Sequence, residues 1–103
     1  MFCEIPEGTL FPHPYGIVIH SETKLGKNSV VMQQVTMGAK SMLNSIGAPT
    51  LGENCSVGAG AKILGAVKIG DHVTVGANAV ITKDIPDGAV VVGVNQILNR
   101  TLI

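Results

Sequence analysis

Large apolar side chains recur at every sixth position along most of this chain of 103 residues. The positions form two runs with the same spacing, namely Ile19, Leu25, Val31 and Met37, followed by Leu51, Val57, Ile63, Ile69, Val75 and Ile81. Ile5 and Phe11 extend the register towards the amino terminus. A period of six fits neither an amphipathic helix nor a long alternating strand, so it indicates an internal repeat. The wider intervals from Phe11 to Ile19 and from Met37 to Leu51 predict insertions between repeats.

Two other positions of each hexad indicate what the repeat builds. The fifth residue is mostly small or β-branched, which suits a second inward-facing position: Thr9, Thr23, Ser29, Cys55, Ala61, Val67, Val73 and Ala79. The fourth residue, in half of the hexads, is of a type that tolerates positive φ: Gly8, Asn28, Asn54, Gly60, His72 and Asn78. A short strand followed by a corner, repeated three times in each coil of eighteen residues, predicts a triangular prism whose faces are parallel sheets.

The sequence therefore predicts an all-β protein, a single-stranded parallel β-helix of about four coils with one protruding loop. We expect a single domain over residues 1–103, with a loop insertion at 39–50 and a carboxy-terminal tail at 86–103. Met42, Leu43 and Ile46 make the loop apolar. This composition favours contact with a neighbouring subunit over simple solvation of the loop.

Composition and charge argue against several classes of function and partner. Seven Lys and Arg balance seven Asp and Glu, which argues against a nucleic-acid partner and against binding to an anionic membrane. No apolar run approaches the ~20 residues of a membrane helix, and the stretch from Met1 to Thr9 lacks the pattern of a secretion signal. A cytoplasmic protein is expected. Cys3 and Cys55 are too few and too far apart to indicate a disulfide framework or a pair of zinc ligands.

Three segments match a known family closely, and they are His13-Pro14-Tyr15-Gly16-Ile17-Val18-Ile19, Gln33-Gln34-Val35-Thr36-Met37-Gly38 and Gly58-Ala59-Gly60-Ala61-Lys62-Ile63-Leu64-Gly65. Together with Pro86 and the stretch from Val90 to Val94, they make the chain resemble the serine acetyltransferases over nearly its whole length. The resemblance implies that the β-helix is left-handed and that acetyl-CoA is the acetyl donor. It also implies a homotrimer in which each site is shared between two chains.

The same resemblance implies roles for individual residues. His13 matches the catalytic histidine of the family and is the candidate general base, a task that a neutral imidazole performs well. The candidate acetyl-CoA contacts are Ala59, Gly60, Lys62 and Ala77. Lys83 and Arg100 are further candidates to meet the phosphate groups as charge-assisted donors.

Several aligned positions depart from the family pattern. Pro12 stands where the family has an Asp before its catalytic histidine, and Gly47 and Ala48 stand where the family loop carries an Arg-His pair that helps to hold serine. The segment 93–97 lacks the basic residue of the family ending. Serine is therefore one candidate acceptor, and a sugar hydroxyl is the alternative. A catalytically degenerate or truncated trimeric β-helix protein is the competing hypothesis.

The remaining histidines and Cys55 fit structural roles. His20 occupies a second hexad position, where Gly is usual, and we expect it to face solvent at a corner. His72 stands where other hexads have Asn, so we expect positive φ there. Three histidines on a β-helix invite comparison with the γ-class carbonic anhydrases, but the spacing does not resemble that family's zinc ligands, and no metal is expected. Cys55 fills an inward position and is expected to be an inert core residue.

Overall fold

The chain folds as a stack of very short strands. The computed structural model describes residues 3–42 and 45–98, in which every regular element is a β-strand. The strands are β1 (Val18–Ile19), β2 (Val30–Val31), β3 (Thr36–Gly38), β4 (Lys40–Met42), β5 (Ser45–Gly47), β6 (Thr50–Leu51), β7 (Ser56–Val57), β8 (Lys62–Leu64), β9 (Lys68–Ile69), β10 (Thr74–Val75), β11 (Val80–Ile81), β12 (Val90–Val92) and β13 (Gln96–Leu98). No helix in this part of the chain is long and apolar enough to cross a membrane.

Three parallel sheets form the faces of a prism. Face A contains β2, β7, β10 and β12, and face B contains β1, β3, β8 and β11. Face C contains β6 and β9, extended by bridges from Lys24 to Thr50 and from Ile69 to Ile85. Neighbouring rungs are eighteen residues apart where Ser56 pairs with Thr74 and where Lys62 pairs with Val80. The predicted β-helix and its coil length are confirmed.

The chain turns at three edges, which we name by the faces they join. The AB edge comprises residues 13–16, 32–34, 58–60 and 76–78, the BC edge comprises 20–22, 64–66 and 82–84, and the CA edge comprises 26–28, 52–54 and 70–72. All six fourth-position residues that were expected to have positive φ do have it: Gly8, Asn28, Asn54, Gly60, His72 and Asn78. Their backbone conformation explains why Gly and Asn dominate the corners.

The predicted inward columns form the core. Nine of the ten large apolar positions from Ile19 to Ile81 are at most 2% exposed, and Leu25 packs partly buried against them. The small fifth-position residues are buried too, except for Thr9, which is half-buried. Ile5 departs from the prediction, since 43% of its surface is exposed. It lies at the end of the prism, before the first described rung, so it has neighbours on one side only.

The insertion at the BC edge contains a hairpin. Strand β4 pairs with β5 in antiparallel fashion, from Lys40 opposite Gly47 to Met42 opposite Ser45. The apolar side chains that favoured contact with a neighbour, those of Met42, Leu43 and Ile46, lie outside the described part of the structure. The described backbone shows a short two-stranded excursion that starts directly after β3 on face B.

The β-helix continues beyond Ile81, into the segment that the sequence predicted as a tail. Val90 pairs with Thr74, which makes the last coil sixteen residues long, and Val91 is fully buried. The chain then reverses, and β13 pairs antiparallel with β12. A coil that is two residues shorter breaks the period of six, and this is why the repeat could not be followed past Ile81.

Close stacking of the coils makes Gly58 intolerant of a side chain. A Cβ at Gly58 would lie 2.6 Å from Ala77 N and 2.9 Å from Val75 O in the next coil, whereas a Cβ at Gly38 would meet the flexible Leu64 side chain at 3.2 Å. We expect Gly58→Ala to lower the free energy of unfolding by about 2 kcal/mol, and Gly38→Ala by less than about 1 kcal/mol. Denaturant unfolding of both variants checks this. Equal losses would contradict the difference in coil contacts.

Candidate functional site

The AB edge is a column of stacked corners that carries most of the predicted site residues. Three backbone hydrogen bonds join successive corners: Gln34 N–H donates to Tyr15 O (2.7 Å), Gly60 N–H donates to Gln33 O (3.0 Å), and Asn78 N–H donates to Ala59 O (2.8 Å). Since neighbouring rungs are about 4.8 Å apart, the edge runs about 14 Å from Tyr15 to Ala77. An extended molecule laid along this edge would therefore span three coils.

His13 lies at the amino-terminal end of this column. It is exposed, and its carbonyl accepts a hydrogen bond from Tyr15 N–H (2.7 Å), which tightens the insertion between faces A and B. Within residues 3–42 and 45–98, no hydrogen bond holds the imidazole ring. The structure thus places His13 on the same edge as Ala59, Gly60 and Ala77, with a ring that one chain alone leaves unrestrained.

Small residues on the AB edge satisfy the backbone conformation of the corner as well as the limited space between coils. Gly60 has a φ of 74°, and a Cβ there would collide with the Asn78 side chain of the next coil. Ala59 is half-buried and Ala77 is exposed, so the edge presents backbone with little side-chain cover. Lys62 follows on face B, where its Nζ donates to Gly60 O (3.0 Å). Two further N–H groups of this ammonium stay outside that bond.

A groove of about 820 Å³ lies at the BC edge, beneath the hairpin. Its wall includes the backbone and side chains of Ala39, Lys40, Leu64, Ala66, Thr82 and Lys83. None of the residues placed on the AB edge lines it, because face B separates the two edges. Of the phosphate candidates, Lys83 lines this groove, whereas Arg100 lies outside the described residues. The period of six did not predict the groove. Part of its wall, Ala39 and Lys40, belongs to the hairpin insertion, which does not follow the repeat.

Comparison with known proteins identifies the repeat. Residues 48–83 match the model of the bacterial transferase hexapeptide family, described as six repeats. The chain is 41% identical to the serine acetyltransferase of Helicobacter pylori over 90 residues, which cover 87% of this chain and 53% of that protein. It is 45% identical to the enzyme of the same name from Synechocystis over 91 residues, or 88% of this chain and 36% of that protein.

Solved structures agree with the sequence matches. A serine acetyltransferase in complex with cysteine superposes with a TM-score of 0.89 at 32% identity, covering 94% of this chain and 41% of that one. A serine acetyltransferase in complex with CoA gives 0.79 at 32% identity, covering 87% of this chain and 37% of that one. The chain is a serine acetyltransferase-like member of the hexapeptide-repeat transferase family. It spans about half the length, or less, of the relatives that it matches.

The solved relatives of this hexapeptide-repeat chain are left-handed β-helices, and the likeness gives its coils the same hand. The matched repeats, 48–83, include the corners of Ala59, Gly60 and Ala77. They do not include the His13 segment. The family model therefore matches the repeat and not the segment that carries the candidate general base.

The three histidines of this hexapeptide-repeat chain lie on three different edges. His13 is on the AB edge, His20 is half-buried on the BC edge, and His72 is exposed on the CA edge with a φ of 57°. His20 Nδ1 accepts a hydrogen bond from Glu22 N–H (3.0 Å). Among the described residues, no group of three His, Cys, Asp or Glu side chains comes together as a metal site would require.

Cys55 is held in the core. It is 1% exposed, and its Sγ lies 3.1 Å from Gly70 O, to which the thiol donates. Burial raises the pKa of the Cys55 thiol above its ordinary value, and the nearby Asp71 carboxylate adds to the rise. A thiol that is buried and reluctant to ionise is a poor nucleophile, which supports the structural role predicted for Cys55.

We therefore expect Cys55 to resist alkylation in the folded protein. Burial raises the pKa of both thiols, but Cys3 is partly exposed whereas Cys55 is buried. Iodoacetamide at pH 8 should therefore modify Cys55 about ten-fold more slowly than Cys3, because the reagent cannot reach the Cys55 thiol. Mass spectrometry of peptides, with and without denaturant, measures both rates. Equal labelling of the two cysteines in the folded protein would show that Cys55 is accessible.

Proposed function

We propose that this chain transfers an acetyl group from acetyl-CoA to a hydroxyl of a small acceptor, serine or a similar compound, as a homotrimer. The observation that carries the proposal is the alignment of His13, Ala59 and Ala77 along one edge of the prism. The named serine acetyltransferases that the chain matches support both the reaction class and the donor. We treat residues 1–103 as one β-helix domain that acts in the cytoplasm.

His13 is the proposed general base. Its neutral imidazole takes the proton of the acceptor hydroxyl while that oxygen attacks the thioester carbonyl and forms the new C–O bond. The tetrahedral intermediate then collapses, the C–S bond breaks, and the imidazolium returns the proton to the departing thiolate. One residue acts as both base and acid, so the proton passes from the acceptor hydroxyl to the departing thiolate and no second side chain is needed.

Acetyl-CoA is proposed to lie along the AB edge, with its thioester near His13 and its nucleotide near the opposite end. The exposed backbone at Ala59 and Ala77 supports the approach of the pantetheine amides, since small side chains leave the edge open. Lys62 extends from face B beside Gly60. It is the candidate residue on this edge to donate a charge-assisted hydrogen bond to acetyl-CoA.

A neighbouring chain is proposed to close this site with the groove of its BC edge. In a threefold arrangement with face B towards the axis, the AB edge of one chain meets the BC edge of the next. The groove residues Leu64 and Thr82 belong to the same coils as Ala59 and Ala77, so the two surfaces lie at the same height. The lysines at the groove, Lys40 and Lys83, suit the anionic phosphates of CoA, and the Asp84 carboxylate in the same wall accepts a hydrogen bond from Lys68 N–H (2.8 Å).

The acceptor is proposed to be a small hydroxyl compound, with serine first because the curated relatives are named for it. Gly47 and Ala48 leave the hairpin without the charged pair that the family uses to hold serine. This difference keeps a sugar hydroxyl as the second candidate acceptor. A panel of serine, homoserine and simple sugars separates the two.

The proposal predicts that His13 is essential and that His72 is not. We expect His13→Ala to lower kcat by about 10² to 10⁴, as loss of a general base typically does. The matched control is His72→Asn, which removes an imidazole from a different edge and installs the residue that Asn54 and Asn78 already provide at positive φ. Release of the CoA thiol from acetyl-CoA, measured with each acceptor, reports both variants.

Two results would oppose the proposal in different ways. Turnover by His13→Ala at the parental rate would remove His13 as the base. Absence of turnover by the parent on every acceptor, together with tight binding of acetyl-CoA by calorimetry, would favour a degenerate relative that keeps the donor site.

The groove predicts a role for Lys83 in donor binding. We expect Lys83→Ala to raise the KM for acetyl-CoA by about ten-fold at unchanged kcat, because a charge-assisted hydrogen bond to phosphate is worth roughly 1.5–3 kcal/mol. Lys27→Ala, at an exposed position on the CA edge, is the matched control and should leave KM unchanged. Steady-state kinetics at varied acetyl-CoA measures both, and an equal effect of the two substitutions would contradict a phosphate contact at the groove.

A further inference from the structure

We propose that His20 of one chain binds the acceptor at His13 of the next chain, so that each site uses two imidazoles from two subunits. The inference rests on the proposed function and adds a specificity residue to it. His20 is the first of the second hexad positions on the BC edge, and Gly38, Leu64 and Thr82 follow it in later hexads. None of these three residues is titratable, so the geometry of this corner does not require an imidazole.

The hydrogen bond at His20 determines which ring nitrogen is left to donate. Glu22 N–H donates to His20 Nδ1 at 3.0 Å, so Nδ1 carries no proton. The neutral ring then carries its proton on Nε2, which donates a hydrogen bond. The corner thus holds His20 in one tautomer and one orientation, as a binding residue requires.

His13 and His20 flank the same strand and lie at the same height of the prism. Strand β1 is the first rung of face B, with His13 on the AB side and His20 on the BC side. The four steps from Gly16 to His20 span about 13 Å at the rise of an extended chain, so within one chain the two rings serve different edges. In a threefold ring with face B inside, the AB edge of one chain meets the BC edge of the next, and the rings face each other.

The surface of face B supports its place at the subunit interface. Val18, the outward residue of β1, is 60% exposed, and Leu64 on the BC side is 38% exposed. Face B also carries Lys62, whose Nζ donates to Gly60 O on the AB edge. Face C, in contrast, points Lys24, Thr50 and Lys68 outwards, a polar surface suited to solvent. The hairpin and the groove also lie at the BC edge, where they can contact a neighbour that packs on face B.

The two imidazoles would do complementary work on one acceptor molecule. His13 accepts the proton of the attacking hydroxyl, and His20 Nε2–H donates to a second oxygen of the same molecule, such as a carboxylate oxygen. The acceptor class is therefore a small hydroxyl compound with a further anionic or carbonyl oxygen. His20 forms no covalent bond and moves no proton, so its loss should weaken acceptor binding more than it slows the chemistry.

Two substitutions of His20 separate its corner role from its binding role. In His20→Asn the amide oxygen can replace Nδ1 as the acceptor of Glu22 N–H, but the outward donor is lost. In His20→Gln the longer amide can place an N–H near the position of Nε2. We expect Asn to lower kcat/KM for the acceptor about thirty-fold, mainly through KM and with the KM for acetyl-CoA unchanged, and Gln to recover most of that loss.

Mixed trimers test whether the two histidines belong to different chains. His13→Ala and His20→Asn chains are co-expressed with different tags, and the mixed trimers are isolated and assayed at low acceptor concentration. Every mixed trimer then contains one junction at which an intact His13 meets an intact His20, which is one site in three. Mixed trimers should therefore show about a third of the parental kcat/KM, against about 3% for His20→Asn alone and about 1% or less for His13→Ala alone.

The outcomes decide between shared and unshared sites. No gain of activity in mixed trimers, with an active parent, would overturn the proposed sharing between chains. Full activity of His20→Asn, with loss of activity in His20→Gln, would assign His20 to the corner alone and overturn its role in binding. No turnover by the parent on any acceptor would instead overturn the proposed function, and this inference with it.

Discussion

The structure depends on backbone hydrogen bonds between successive coils at a nearly constant pitch. On the three faces, Ser56 N–H donates to Val73 O (2.9 Å), Lys62 N–H donates to Ala79 O (2.8 Å), and Thr50 N–H donates to Val67 O (2.9 Å). These bonds bring each coil into contact with the next, so small and branched side chains suffice to fill the interior. A chain with only 3% aromatic residues can therefore bury a continuous core.

Because the interior is filled and the faces are regular, irregular features can occur only at the edges. The two extra residues between Phe11 and Ile19 bring His13 to the AB edge, and the longer insertion builds the hairpin at the BC edge. Both insertions flank face B, while face C and the CA edge follow the repeat closely. The candidate functional residues therefore lie at the two edges of face B.

The period of six predicted the coils because every coil imposes the same constraint on the same positions. Burial of Val31, Met37 and Ile63, and positive φ at Asn28 and His72, follow from that constraint alone. The sixteen-residue last coil and the groove beneath the hairpin break the repeat, so no periodic argument could reach them. The column on the AB edge was predicted from a resemblance, and its geometry follows from the backbone hydrogen bonds that join Gly60 to Gln33 and Asn78 to Ala59.

A single copy of this prism offers a convex edge, and a convex edge is a poor place for proton transfer. General-base catalysis requires a ring held in a fixed orientation and sheltered from bulk water, but His13 is exposed, and within the described residues nothing holds its ring. The BC edge has the opposite character, since it carries a groove and an imidazole, His20, whose orientation is fixed by Glu22. Joining the two edges would supply what each lacks, so the proposed chemistry depends on the proposed trimer.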